Sequence, residues 1–216
     1  MVLPISMTVF IVAAFQLSPE WYQNWMHPEG YGILELLHLI IPLAGMVVAL
    51  EMLARRWVRS HRLVLIWTIL LALGCLYIAG EEHSWGQHFL HWETPQYWEK
   101  INRQNETNLH NVAHLFGKTP KLILEILIAV GGLLIPFATL FKPTIHQLPF
   151  ALFLPASVMV PTAFLVVVTK IWDVLSKQDI LPALATRTSE VEETFIYLFI
   201  FYYIIIFRRR VIELEN

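Results

Sequence analysis

The chain has 216 residues, of which 56% are apolar and 15% charged. Soluble domains carry about a quarter charged residues; here long apolar runs fill the deficit, which excludes a disordered or low-complexity chain. Fifteen basic against 17 acidic residues give no basic excess, so nucleic acid is excluded as a partner. The single cysteine, Cys75, excludes an internal disulfide and a CxxC site.

These features predict an all-α fold, a polytopic membrane helical bundle forming one domain over residues 1–216. A bilayer core of roughly 30 Å takes about 20 helical residues. In chain order, the apolar runs predict six transmembrane helices at residues 2–17, 33–53, 63–79, 120–141, 148–169 and 190–207. No Lys or Arg precedes the first, unlike a signal peptide with its basic start, so it is expected to be retained. Arg55, Arg56, Arg59 and Arg62 follow the second span, and Lys142 follows the fourth. Arg208, Arg209 and Arg210 follow the sixth. This density predicts the cytoplasmic side, with both termini inside. Segment 80–119 then faces outward as a short helical cap.

Local signals refine the boundaries. Thr94 and Pro95 open a short helix through Trp98 to about Asn102, and Thr119 with Pro120 opens the fourth span after Gly117. Pro149, Pro155 and Pro161 fall in the fifth span, and the last two predict a bend. The stretch 194–207 is too short to cross alone, so either the bilayer thins or the sixth helix begins near residue 188.

The polar residues sort by depth. Glu35 and His38 lie in the first turns of the second span, and Glu81 and Glu82 end the third. Glu125 enters the fourth, while Glu190, Glu192 and Glu193 begin the sixth. A charge at the bilayer centre costs roughly 2.5–3.5 kcal/mol, so four spans bringing such residues to one depth predict a shared pocket. Helix dipoles favour acids at N-termini, which explains Glu125, Glu192 and Glu193 without a pocket. They do not explain Glu81 and Glu82 at a C-terminus.

Segment 80–119 holds five of the nine histidines: His83, His88, His91, His110 and His114. On a helix, Glu106, His110 and His114 share one face at i, i+4 and i+8, and supply ligands for one divalent transition metal, zinc or iron. Glu81 and Glu82 complete such a site or act as general base on a water, with His110 as their partner. Glu35, His38, Gln87, Asn108 and Glu125 are the candidate substrate-binding wall, and Asn111 joins Gln87 and Asn108 in orienting ligands. Glu35 and His38 also match the Glu-x-x-His element of di-iron bundles, but the required second copy is missing. No GxSxG elbow, P-loop or dinucleotide fingerprint occurs.

The segment resembles a family of bacterial integral membrane proteins with the signature EExSWGQ, then ETP, then NxQxETNLHN. The pattern falls here on Glu81, Glu82, Ser84, Trp85, Gly86 and Gln87, on Glu93, Thr94 and Pro95, and on Asn102, Gln104 and the run Glu106, Thr107, Asn108, Leu109, His110 and Asn111. The resemblance implies membership and a bacterial inner (cytoplasmic) membrane, and implies no reaction. Its signature leaves out His83, His88, His91 and His114. The shared set Glu81, Glu82, Glu106 and His110 then suits a metal, a metal-free acid–base pair, or a hydrogen-bond network that fastens the cap.

The leading expectation is a membrane-embedded metal-dependent hydrolase or group transferase acting at the outer face on a membrane lipid or lipid-linked substrate. The alternative is a non-enzymatic component that binds a protein partner in cell-envelope assembly, or its own copies. An ion or proton pathway is disfavoured, because Glu51 is the one acidic or histidine residue placed in the inner halves of the spans.

Overall fold

The computed structural model describes residues 2–26, 28, 31–109, 111–112 and 118–215. Among these, every regular element is helical and none is a strand. Six long helices are labelled α1 (Val2–Leu17), α2 (Ile33–Leu53), α3 (Arg62–Glu82), α4 (Lys118–Phe141), α5 (Val160–Ser176) and α6 (Thr188–Glu215). Short helices fill much of the remainder. One is the expected piece after Pro95, which runs Gln96–Ile101.

Four stretches are long and apolar enough to cross a bilayer: Ile33–Leu53, Arg62–Glu82, Lys118–Phe141 and Ala151–Ser176. They make this a membrane protein. A fifth is added if Leu3–Leu17 and Pro19–Met26, bent by 114°, form one broken span. Many of their apolar side chains stay exposed, among them Leu122, Ile126, Leu127 and Phe137 on one side of α4, as a chain solvated by lipid requires.

Two spans depart from the expected boundaries. The fifth, expected at 148–169, is not one helix: its first half breaks into the 3-10 turns Ala151–Phe153 and Ser157–Met159, and the α-helix starts only at Val160. Pro149 and Pro155 lack the N–H that a helix needs and push the residues before them toward extended backbone. Pro161 sits harmlessly in the first turn of α5. The carbonyls of Ala151, Leu152 and Leu154 accept hydrogen bonds from Arg210 Nη1 at 3.5, 3.2 and 2.5 Å. The sixth helix does begin at Thr188, before its glutamates, and continues past the arginines to Glu215.

Helix α6 is the axis of the bundle. It packs on α2, α5 and α4, while α3 packs on α2, and Phe195, Ile196, Leu198, Phe199, Ile204, Phe207 and Val211 are all buried along it. Close approach is built in at Gly132, within a π-helical turn of α4 (Val130–Leu134). A Cβ there would stand 2.5 Å from Ala163 Cβ and 2.8 Å from the Phe199 ring. At one end of the bundle basic residues gather: Arg208 bonds Glu51, and Arg55 bridges Glu51 and Glu215. The opposite end collects the starts of α2, α4 and α6 and the finishes of α3 and α5. The sequence elements that carry the acids therefore meet there.

Candidate functional site: a polar cavity at one end of the bundle

The acid-rich ends of the helices enclose a cavity of about 920 Å³. Glu35, His38, Glu81, Glu82, Glu106 and Glu125, all singled out from sequence, line it together. Glu190 and Glu193, placed at the same depth from sequence, also line it, as do Lys121, Lys170, Arg187 and Tyr197, which the sequence reading did not assign to the site. Gln87 lines a smaller neighbouring hollow of about 380 Å³ with Tyr31, His88, His91, Trp92 and Glu106. Asn108 is buried. His110 and His114 lie outside the described residues.

Two polar clusters are built into this end. The first runs across the bundle. Lys121 of α4 lies 3.0 Å from Glu192 Oε2 and 2.9 Å from Glu193 Oε1 of α6. Lys170 of α5 lies 2.8 Å from Glu125 Oε1 and 3.8 Å from Glu192 Oε1. Glu192 is fully buried between the two lysines. The network joins the α4, α5 and α6 ends, since each ion left alone in so apolar a bundle would carry a large desolvation cost.

This network leads to His38 on α2, which is 1% exposed. His38 Nε2 lies 3.1 Å from the Glu190 carbonyl and 2.8 Å from Thr194 Oγ1, and Nδ1 lies 3.3 Å from Glu82 Oε2. Glu82 Oε1 accepts the Tyr197 O–H at 2.7 Å, and the Tyr197 ring meets the imidazole edge-on. His38, Glu82 and Glu193 each offer a ligand atom within 4.8 Å of the others, a group that could hold a metal ion.

The second cluster is the segment after α3, which folds back on itself. Ser84, Trp85 and Gly86 take successive positive φ values of 47°, 57° and 104°, so the chain reverses at the end of α3. The Trp85 indole comes to rest on Gly80, where a Cβ would stand 2.8 Å from the ring. Its Nε1–H donates to Glu81 Oε1 at 2.8 Å, while Glu81 Oε2 accepts the Leu109 backbone N–H at 2.7 Å. Glu106 Oε2 accepts from Ser84 Oγ at 2.9 Å, Asn108 Nδ2 at 2.6 Å and Asn111 Nδ2 at 3.2 Å. Gln87 Oε1 accepts the Thr107 N–H and O–H, and its amide donates to Thr94 Oγ1. Asn102 donates to Asn108, and its own Oδ1 accepts the N–H groups of Gln104 and Glu106.

This geometry corrects the helix assumed for the metal set; two of that set's members, His110 and His114, lie outside the described residues. Glu106 to Leu109 is not helical, so the i, i+4, i+8 alignment of Glu106 with His110 and His114 fails at its first member. One glutamate and two histidines at four-residue spacing made a helix face look attractive. Asn102 instead uses its side chain to bond the backbone of Gln104, Glu106 and Asn108, which favours turns over helix.

His83 closes α3 and is buried against both clusters. Its Nε2 bonds the Glu35 carbonyl at 3.0 Å, and its ring stacks on Phe89. Burial holds its pKa below the ordinary value of 6.5 and nearby His88 adds to this, whereas the Glu35 carbonyl and Glu82 oppose it.

The fold and the site together define a helical membrane protein with an acid–base cavity at one end. No family model matches the sequence, and no curated protein or solved structure matches the chain.

Proposed function

We propose that this chain is a membrane-embedded hydrolase or group transferase, acting at the outer face of a bacterial inner membrane on a lipid or lipid-linked substrate. The observation that carries this reading is the convergence of Glu35, His38, Glu82, Glu125 and Glu193, from four helices, on one large cavity. Polar groups at membrane depth are expensive and in general mark sites of action. The arginine-rich opposite end supports a six-span chain with that end and both termini in the cytoplasm, and segment 80–119 capping the outer face. A lipid substrate is supported by the cavity wall: Tyr77 and Ile78 of α3 and Leu122 and Leu124 of α4 line it, yet these two helices do not pack closely on each other among the described residues. On this reading an acyl chain lies against these apolar side chains while its headgroup enters the cavity.

Glu82, oriented by the Tyr197 hydroxyl, serves as general base. It takes a proton from a water, or from an acceptor hydroxyl in a transfer. The oxygen bonds to the ester carbon or phosphorus, and the departing oxygen leaves with that proton. A divalent transition metal, zinc or iron, is the cofactor this carboxylate and imidazole chemistry suits, and it would polarise the bond under attack. Glu81 and Glu106 have a fastening role here, since their oxygens are occupied by the folded-back segment.

The test is a comparison of membrane lipids, by mass spectrometry, in cells carrying the wild-type chain or Glu82→Gln at equal expression. Accumulation of one lipid species in the variant supports the enzyme; an unchanged lipid profile with intact cellular function sinks it. One observation favours a partner-binding protein instead: Trp85, Leu90 and Tyr97 are exposed on the folded-back segment. On that reading, Tyr97→Ala and Leu90→Ala remove a co-purifying protein and Glu82→Gln does nothing.

A further inference from the structure

We propose that Arg103 and Lys118 bind the phosphate group of an anionic lipid at the mouth of the cavity. Six lysines and arginines line the cavity, and its own carboxylates engage four of them. Lys121 pairs with Glu193, Lys170 with Glu125, Lys177 with Asp173, and Arg187 with Glu190. The other two, Arg103 and Lys118, are exposed, which sets them at the mouth. Among the described residues their side chains have neither an ion pair nor a hydrogen bond.

The remaining carboxylates of the lining are engaged elsewhere. Glu35 lies 4.0 Å from Arg187, and Glu82 accepts the Tyr197 hydroxyl. Glu81 and Glu106 take donors of the folded-back segment. Two cations left over in a hollow this rich in acids are open to an anion that arrives from outside. The same acids limit how far it enters, because like charges repel more strongly away from water. The phosphate therefore stays with the two cations while the rest of a headgroup passes inward.

Ordered backbone places both cations. Arg103 sits on the turn after Ile101. Buried Asn102 builds that turn by accepting the N–H groups of Gln104 and Glu106, and the Arg103 N–H donates to the Asn111 carbonyl at 3.3 Å. Lys118 opens α4. A guanidinium presents a planar fork of donors that matches phosphate oxygens, and an ammonium adds a point charge.

The wall beneath Lys118 makes the anion a lipid. Leu122 stands four residues along α4, on the same helix face, and both residues line the cavity. Tyr77 and Ile78 of α3 extend this apolar surface. A cation stacked over an apolar wall repeats the order of a phospholipid, with phosphate outermost and acyl chain below. Such a ligand rests on the lipid site proposed above, though not on its general base.

Full-length protein in an uncharged detergent is titrated with three probes. They are dioleoylphosphatidylglycerol, dioleoylglycerol with the same chains and no phosphate, and inorganic phosphate. Binding is read from the thermal midpoint and from ligand retained on gel filtration. The phosphatidylglycerol should bind saturably, and Arg103→Gln and Lys118→Gln should each weaken it roughly tenfold. Lys100→Gln should change nothing, since Lys100 is exposed on the same segment but does not line the cavity. Without lipid, neither cavity variant should lower the midpoint. Equal binding of the two lipids, unchanged binding in both cavity variants, or an equal loss in Lys100→Gln overturns the site. A lowered lipid-free midpoint in either cavity variant makes that side chain structural and overturns it as well. Inorganic phosphate bound as tightly as the lipid, and lost in the same two variants, overturns the lipid in favour of a free phosphate. Phosphatidylglycerol bound as stated with an unchanged lipid profile in Glu82→Gln keeps the anion site and removes the enzyme. Accumulation of an uncharged lipid in Glu82→Gln, with no phosphatidylglycerol bound, does the reverse.

Discussion

Glu81 and Glu82 are neighbours at the end of α3, yet they belong to different polar regions. Glu81 turns into the folded-back segment, where an indole N–H and a backbone N–H occupy its oxygens. Glu82 turns into the bundle, toward His38 and Tyr197. The first region holds one acid at each end of a web of amides, hydroxyls and backbone donors, and its hydrogen bonds close on themselves. The second brings Glu125, Glu192 and Glu193 to Lys121 and Lys170 along the wall of a cavity. A closed network fastens; one that borders a cavity can meet a ligand. The comparison thus separates polar residues that hold the fold from polar residues available for chemistry.

The sharpest way to break this contrast is to unbalance the second region further. Lys121→Met leaves Glu192, which is fully buried, facing only Lys170 at 3.8 Å, and leaves Glu193 without its closest cation. Removing one partner of a buried pair costs roughly 3–5 kcal/mol. The expected result is a large drop in the thermal midpoint in detergent, recovered in good part by Lys121→Met combined with Glu192→Gln. A loss under about 1 kcal/mol would mean that water fills the cavity and screens the ions, so the two regions would not differ in kind.

Next in size is a test within the neighbouring pair. Glu81→Gln removes a charged acceptor for two donors, the Trp85 indole and the Leu109 backbone amide, and hydrogen bonds to charged groups contribute roughly 1.5–3 kcal/mol each. It should lower stability and raise the accessibility of the 83–109 segment to protease. Glu82→Gln, which loses its own charged acceptor for Tyr197, should leave the protease accessibility of the segment nearly unchanged. Equal effects in the two variants would erase the distinction.

How far this was legible in the sequence follows the same division. The spans at 33–53 and 120–141 could be read almost to the residue, because a lipid-solvated helix must be apolar on every face. The meeting of Glu35, His38, Glu82 and Glu125 was legible from depth alone, since topology places helix ends at one level. Depth does not give rotation about the helix axis, so nothing in the pattern separated Glu81 from Glu82. Lys121, Lys170 and Tyr197 escaped for the same reason: a lysine or tyrosine near a helix end normally reads as a headgroup anchor. The segment 83–111 misled most. Its turns depend on side chains bonding backbone and on the left-handed residues Ser84, Trp85 and Asn105, which no periodicity announces. The broken fifth span was announced by its prolines; the Arg210 guanidinium that satisfies it was not.

A smaller effect belongs to the joint between the regions. Gly80→Ala places a methyl 2.8 Å from the Trp85 indole, and overpacking of this kind costs roughly 1–3 kcal/mol. The indole is half-exposed and able to yield, so the lower end is expected. A shift in tryptophan fluorescence together with faster proteolysis of the segment would show the indole lifted from α3. If only the thermal midpoint moved, Trp85 would be dispensable to the fastening.

The smallest effect is a pH dependence carried by His83, which touches both regions. Its folded pKa is lowered, chiefly by burial and further by His88, against the pull of the Glu35 carbonyl and Glu82. A histidine held neutral in this way binds a proton more weakly in the folded chain than in the unfolded one, so stability rises with pH between the two pKa values. The contribution is complete above the ordinary value of 6.5 and declines as pH falls below it. His38 and Glu82, the charged or titratable neighbours on the bundle side, act on the same ring. The comparison of wild type with His83→Gln therefore isolates it: the wild type should lose thermal midpoint between pH 6.5 and 5 more steeply than the variant. Parallel curves would place the proton elsewhere, and His83 would then serve only as the stacking partner of Phe89.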